Sequence, residues 1–250
     1  MPLKRAWLFK GFSMGRIKAL FLDVDGTLTL DRSTYALDVS AIVALRRAVE
    51  KGVIVSLVSS NALPIVVGLL RYLGLNGIAI GESGCLVFMN RKVLPLASKS
   101  AREPYQALKE AYGEYVEDSW QNVFRLYEYA LQLRKEYAST WRSIIAEMNH
   151  YIESRFPGFT VDYSGYAIHV REKGVDKKKA VLYVLEKLGI DPQEAAGIGD
   201  SVMDAPFLSI LGLSAAVSNA DEELKQSVHV VLSKPSGMGV VEFLERYIGI

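Results

Sequence analysis

Five short apolar runs, at residues 17–22, 53–58, 195–198, 215–217 and 228–232, set the strongest constraint on this chain. They show little of the apolar–polar alternation of a strand with one wet face. Such runs suit strands buried on both sides, as in a parallel sheet under helices. Amphipathic segments lie between them, at about 38–51, 63–72 and 177–188. Each is followed within two residues by a glycine: Gly52, Gly74 or Gly189. Glycine just past the last periodic residue is the expected helix stop. Strand, helix, strand in repetition predicts an α/β, doubly wound domain with a parallel sheet.

The middle of the chain has another rhythm. Residues 85–89 and 93–96 flank Asn90-Arg91, and residues 159–163 and 166–171 flank Ser164-Gly165. Both patterns predict hairpins. Between them, residues 104–155 read as a long helical stretch rich in aromatics and charges. Hairpin, helices, hairpin predicts a second, α+β domain inserted into the first. The expected division is an N-terminal extension at 1–14, a core at 15–84 and 172–250, and an insert at 85–171. Met14 is an alternative reading of the true start.

Composition narrows the function classes. Of the 250 residues, 50% are hydrophobic, which is ordinary for a globular protein. The formal net charge of +1 provides no global field toward nucleic acid or an acidic membrane. Neither is expected as a partner. No apolar run approaches the roughly 20 residues that span a bilayer. The lone cysteine, Cys85, excludes an intramolecular disulfide and fits a cytoplasmic protein. His150, His169 and His229 share no metal-ligand spacing.

The chemistry concentrates where strands end. The run at 17–22 leads into Asp23-Val24-Asp25-Gly26-Thr27. Residues i and i+2 of a strand project to one side, so both carboxylates are expected at the carboxyl end of the sheet, where ligands bind in such folds. Paired carboxylates are costly unless a cation compensates them, and Mg²⁺ with oxygen ligands is the natural choice. A second acidic motif, Gly199-Asp200-Ser201-Val202-Met203-Asp204, follows the run at 195–198. Ser59-Ser60-Asn61 follows the run at 53–58 and enters a helix whose N-terminus favours anions. Lys177 opens another helix, where its charge opposes the dipole. Taken singly, the serines read equally well as helix caps and the second acidic motif as an acidic turn, whereas Asp-x-Asp-Gly-Thr after an apolar strand is far more specific than a bare Asp-x-Asp.

Taken together and in order, they resemble the four motifs of the haloacid dehalogenase superfamily. That resemblance implies a Rossmann-like core. It implies Asp23 as the nucleophile that forms an aspartyl phosphate and Asp25 as the acid and base. Ser59, Ser60, Asn61 and Lys177 would contact the phosphate, and Asp23, Asp25 and Asp200 would bind magnesium, with Asp204 binding it directly or through water, or holding the loop. An insert placed after the third strand, near residues 78–81, resembles the family's type II cap. Gly81-Glu82-Ser83-Gly84 is similar to a turn of that subclass, as is Asn219-Ala220 with Lys225. Ser-Ser-Asn-Ala-Leu-Pro at 59–64 and Ser-Gly-Tyr-Ala-Ile-His at 164–169 most resemble archaeal phosphoglycolate phosphatases.

The resulting expectation is a magnesium-dependent phosphatase of a small phosphorylated metabolite, with 2-phosphoglycolate favoured. A sugar-phosphate phosphatase or phosphomutase shares the motif order. A phosphate-accepting signalling domain shares the acidic site but leaves the insert unexplained. Arg142 and His169 are candidate contacts for a substrate carboxylate, with a surface or packing role the preferred reading of each. Trp120, Tyr127 and Trp141 read as core residues or as contacts in a homodimer.

Overall fold

The structure is a computed structural model and describes residues 17–250. The extension at 1–14 and the alternative start at Met14 lie outside the described residues. The described chain opens with β1 (Ala19–Leu22), α1 (Val39–Glu50), β2 (Ile54–Val58), α2 (Leu63–Tyr72) and β3 (Ala79–Gly81). A hairpin follows, β4 (Leu86–Met89) and β5 (Lys92–Pro95). Next come α3 (Arg102–Ala111), β6 (Val116–Asp118), β7 (Tyr129–Leu133), α4 (Trp141–Arg155), β8 (Phe159–Tyr163) and β9 (Ile168–Glu172). The chain returns through α5 (Lys177–Leu188), β10 (Ala195–Gly199), α6 (Ala205–Leu208), β11 (Leu213–Ala216), α7 (Glu222–Ser227), β12 (Val230–Val231) and α8 (Ser236–Phe243).

Eight strands form one sheet in the order β12-β11-β10-β1-β2-β3-β4-β5. The six from β12 to β3 pair in parallel. β1 sits inside this sheet with all four residues buried, which is why its sequence shows no polar alternation. α1 starts where the Asp38 carboxylate accepts from the backbone N–H groups of Ser40 and Ala41. It buries Ala41, Ala44, Leu45 and Ala48. α5 starts at Asp176, which accepts from Lys179 N, and ends at left-handed Gly189. The doubly wound expectation holds.

The first hairpin differs from the expectation that grouped it with the insert. β4 pairs antiparallel with β3 and extends the large sheet. The pairing satisfies the outer edge of β3, and Leu86, Val87 and Met89 join the main hydrophobic core. Asn90 and Arg91 both take positive φ, as a two-residue turn between such strands requires.

The stretch at 104–155 is also not one helical region. It contains α3, β6, β7 and α4. A four-stranded antiparallel sheet runs β6-β7-β9-β8. Tyr129 and Leu131 of β7 pack with Tyr105, Met148 and Ile152 in a second core, which fixes this segment as a strand. Glu82 ties the two sheets together: its buried carboxylate accepts from the N–H groups of Leu126, Tyr127 and Glu128. Of the three aromatics noted above, Tyr127 packs against the main core and Trp141 against Tyr163, whereas Trp120 is 60% exposed.

Candidate active site

The ends of β1 and β10 lie side by side, and Asp23 N donates to Ile198 O across them. Asp23, Asp200 and Asp204 therefore meet at the carboxyl end of the sheet. Each offers an oxygen within 4.8 Å of the other two, and all three residues are buried. Lys177 enters from the first turn of α5. Its Nζ donates to Asp23 Oδ1 and to Asp204 Oδ1, both at 2.6 Å. Of the three consecutive lysines, Lys177 is the buried one.

Asp204 also braces its own loop. Its Oδ2 accepts from the N–H groups of Asp200 and Ser201, while the Ser201 hydroxyl accepts from Met203 N. Thr27 donates to Asp200 Oδ1 at 3.3 Å. Arg32 Nε lies 2.9 Å from Asp200 Oδ2, yet this buried oxygen receives no aligned hydrogen bond. Three buried carboxylates thus face two cations, Lys177 and Arg32. Convergent oxygens, residual negative charge and an orphaned acceptor all fit a hard divalent cation such as Mg²⁺.

Burial raises the Asp23 carboxyl well above the ordinary carboxylate range. Lys177 opposes that rise, and the neighbouring aspartates add to it. Burial, with Asp204 next, raises Asp200 to about 7. Burial pulls on Lys177 in the other direction, but Asp204 and Asp23 keep it above its usual value and charged.

Asp25 departs from the expected pairing with Asp23. β1 ends at Leu22, so the i, i+2 rule no longer applies in the turn that follows. Asp25 is not part of the carboxylate cluster. Its Oδ2 accepts from Asn61 Nδ2 at 2.6 Å. Burial raises its carboxyl, and the Asn61 bond counters that. The turn needs glycine at position 26. Its φ is +86°, and an added Cβ would stand 2.3 Å from Asp200 Oδ2 and 2.7 Å from the Tyr166 hydroxyl.

Residues 20–130 and 129–244 match the family model of the haloacid dehalogenase-like hydrolases. The chain belongs to this family. Among its relatives is a phosphoglycolate phosphatase of Staphylothermus marinus, 47% identical over 92% of this chain and 97% of the relative. A phosphoglycolate phosphatase of Metallosphaera sedula is 39% identical, over 92% of this chain and 98% of its own length. The crystal structure of Thermoplasma acidophilum 0175 superposes with a TM-score of 0.81 at 28% identity, covering 94% of this chain and all of that one.

The hydrolase's carboxylate cluster opens into a cavity of 140 Å³. Asp23, Asp25, Ser60, Asn61, Lys177 and Asp200 line its floor. Ser59 lies beneath, buried, with its hydroxyl accepting from Asn61 N. Ser60 Oγ accepts from the Ser83 hydroxyl. The turn containing Ser83 also supports Lys177. Gly84 has φ +98°, and a Cβ there would come within 2.1 Å of Asp176 O and 2.9 Å of Lys177 N. Asn219 exchanges hydrogen bonds with Ser236. Lys225 pairs with Glu222.

The inserted sheet supplies the opposite wall, and most of its residues carry no sequence signal of their own. Gln121 Nε2 donates to Asn61 Oδ1 at 2.6 Å, and its Oε1 accepts from Ala62 N. His169 lines the cavity between Glu128 on Nδ1 and Ser164 Oγ on Nε2. Arg142 instead lies over the Trp141 ring at 4.6 Å. Arg32 sits in a loop without periodicity. Tyr166, whose hydroxyl accepts from Arg32 Nε, falls inside the 164–169 segment that already resembles the family.

Proposed function

We propose that this hydrolase converts 2-phosphoglycolate and water to glycolate and phosphate through an aspartyl phosphate on Asp23. The chain is a phosphatase, by its family and by curated phosphatase relatives that it matches over nearly their whole length. The observation that carries the mechanism is the pair of 2.6 Å contacts from Lys177 Nζ to Asp23 and Asp204 inside the carboxylate cluster. They favour a charged, oriented Asp23 beside a cation aimed at the phosphoryl position.

In this reading Asp23 attacks phosphorus, an Asp23 oxygen–phosphorus bond forms, and the ester oxygen–phosphorus bond breaks. Asp25 gives its proton to the leaving glycolate oxygen. Its raised carboxyl supports that role. Asp25 then takes a proton from water, whose oxygen attacks phosphorus and frees Asp23. Lys177 bears on the phosphoryl oxygens throughout. Asp23, Asp200 and Asp204 would hold Mg²⁺, which supplies positive charge against the carboxylates and the phosphoryl group.

The cavity supports a small ester. At 140 Å³ it lies below the ~300–1,000 Å³ common for drug-sized ligands, which favours a two-carbon ester over a hexose phosphate. No helix among the described residues is long and apolar enough to cross a membrane, and a cytoplasmic setting belongs to the same reading.

The test is phosphate release from 2-phosphoglycolate with and without Mg²⁺, for the native protein and Asp23→Asn. Magnesium-dependent release that Asp23→Asn abolishes is expected. Release that survives in Asp23→Asn would exclude Asp23 as the nucleophile, and native protein inactive on 2-phosphoglycolate but active on other esters would exclude the substrate.

A further inference from the structure

Arg125 is 5% exposed and lines the same cavity as Asp23 and Lys177. Its Nε and Nη1 are buried and have no hydrogen-bond partner. Burying an arginine with unmade hydrogen bonds is costly, and a group that completes them recovers that cost. Nη1 lies 3.4 Å from Glu128 Oε2, an ion pair without an aligned hydrogen bond. Glu128 is fully buried and also engages His169. Burial alone would raise the Glu128 carboxyl, but His169 and Arg125 beside it hold it below the usual range. It is therefore an ionised anchor that positions the guanidinium and leaves donors of its fork unused.

The rest of the cavity has no equivalent group. Among the described lining residues, Lys177 is the other lysine or arginine, and Asp23 and Asp204 already engage it. His169 has both ring nitrogens engaged. None of the lining residues drawn from 119–169 is acidic. The floor is thus built for a phosphoryl group and a cation, and the facing wall offers an arginine and neutral donors, with the one carboxylate near that arginine, Glu128, buried behind it and outside the lining.

We infer that Arg125 is the anchor for a substrate carboxylate, making the cavity a site for phosphate esters of short hydroxy acids. This rests on the phosphatase reading above and deepens it. A planar carboxylate matches the arginine fork, and the small cavity requires the carboxylate within a few bonds of the ester oxygen.

The experiment compares kcat/KM for 2-phosphoglycolate and 2-hydroxyethyl phosphate, which replaces the carboxylate with a neutral alcohol of equal length. The native enzyme is expected to prefer 2-phosphoglycolate by about a hundredfold or more, the scale of a buried charge-assisted contact. In Arg125→Met that preference ratio falls by about a hundredfold. Arg125→Lys keeps the charge but loses the fork, and lowers the ratio by about tenfold. Arg125→Lys also supplies the answer if Arg125→Met does not fold, as thermal melts of both will show. A native ratio near one overturns the carboxylate-ester reading itself. A clear native preference that both folded variants retain in full, or that the lysine variant retains in full where the methionine variant does not fold, overturns the assignment to Arg125 and leaves the substrate reading intact.

Discussion

Asn61 donates through Nδ2 to Oδ2 of Asp25 at 2.6 Å while its own Oδ1 accepts from Gln121. The inserted sheet region thereby fixes the orientation of the proposed acid and base. Gln121→Glu keeps an acceptor for Ala62 N but removes the donor to Asn61. It is expected to lower kcat about tenfold, part of the 10²–10⁴ that a positioned acid and base contributes, with KM changed less than about threefold. Steady-state kinetics across a pH series checks this; an unchanged kcat would show that Gln121 does not govern Asp25.

If the carboxylate cluster holds Mg²⁺ as proposed, metal binding and acidity are expected to be coupled at Asp200. Its folded carboxyl is raised to about 7, chiefly by burial. A group raised above its unfolded value contributes stability at low pH that is lost as pH rises through the folded value. The metal-free protein therefore loses this contribution between about pH 4 and 7, and Mg²⁺ restores stability most where Asp200 is ionised. Thermal melts in chelator and in Mg²⁺ should show a larger metal-induced rise in Tm at pH 7.5 than at pH 5.5. Equal rises at both would contradict the linkage.

Gly84→Ala tests the support behind Lys177. The added methyl would meet Asp176 O and Lys177 N from a left-handed residue. A loss of about 2 kcal/mol in stability is expected from the strained backbone and contact, together with at least a tenfold loss of phosphatase activity as Lys177 shifts. Chemical denaturation and kinetics at saturating Mg²⁺ measure both; native-like values for the pair would refute the coupling.

Glu128→Gln removes the charge shared by Arg125 and His169. Breaking a buried pair from one side costs about 3 kcal/mol at neutral pH. Because the Glu128 carboxyl is depressed in the fold, its contribution is present above its unfolded value, near pH 4.5, and fades as pH falls through the lower folded value. The stability gap between native protein and variant should narrow below about pH 4. A gap independent of pH would locate the effect in packing.

Much of this was legible before the fold. The buried parallel strands announced themselves by uninterrupted apolar runs, and Asp23, Lys177, Asp200 and Asp204 stood at strand or helix ends in family order. The less legible parts depend on pairing between distant segments. The sequence at 86–95 carries two strands and a turn, but the open edge of β3 decides which sheet receives them. The segment at 129–133 is apolar enough for a helix or a strand, and β9 settles it by pairing.

The sequence by itself determined the carboxylates at the ends of β1 and β10, because strand burial and turn chemistry are local and leave a local pattern. The tertiary structure decided what faces them. Gln121, Arg125 and His169 reach the cavity because the smaller sheet stands over the ends of the larger one. Asp25 turns from Asp23 to Asn61 because the strand stops one residue before the motif begins. Neither fact has a period in the chain, since each depends on closure between segments far apart in sequence.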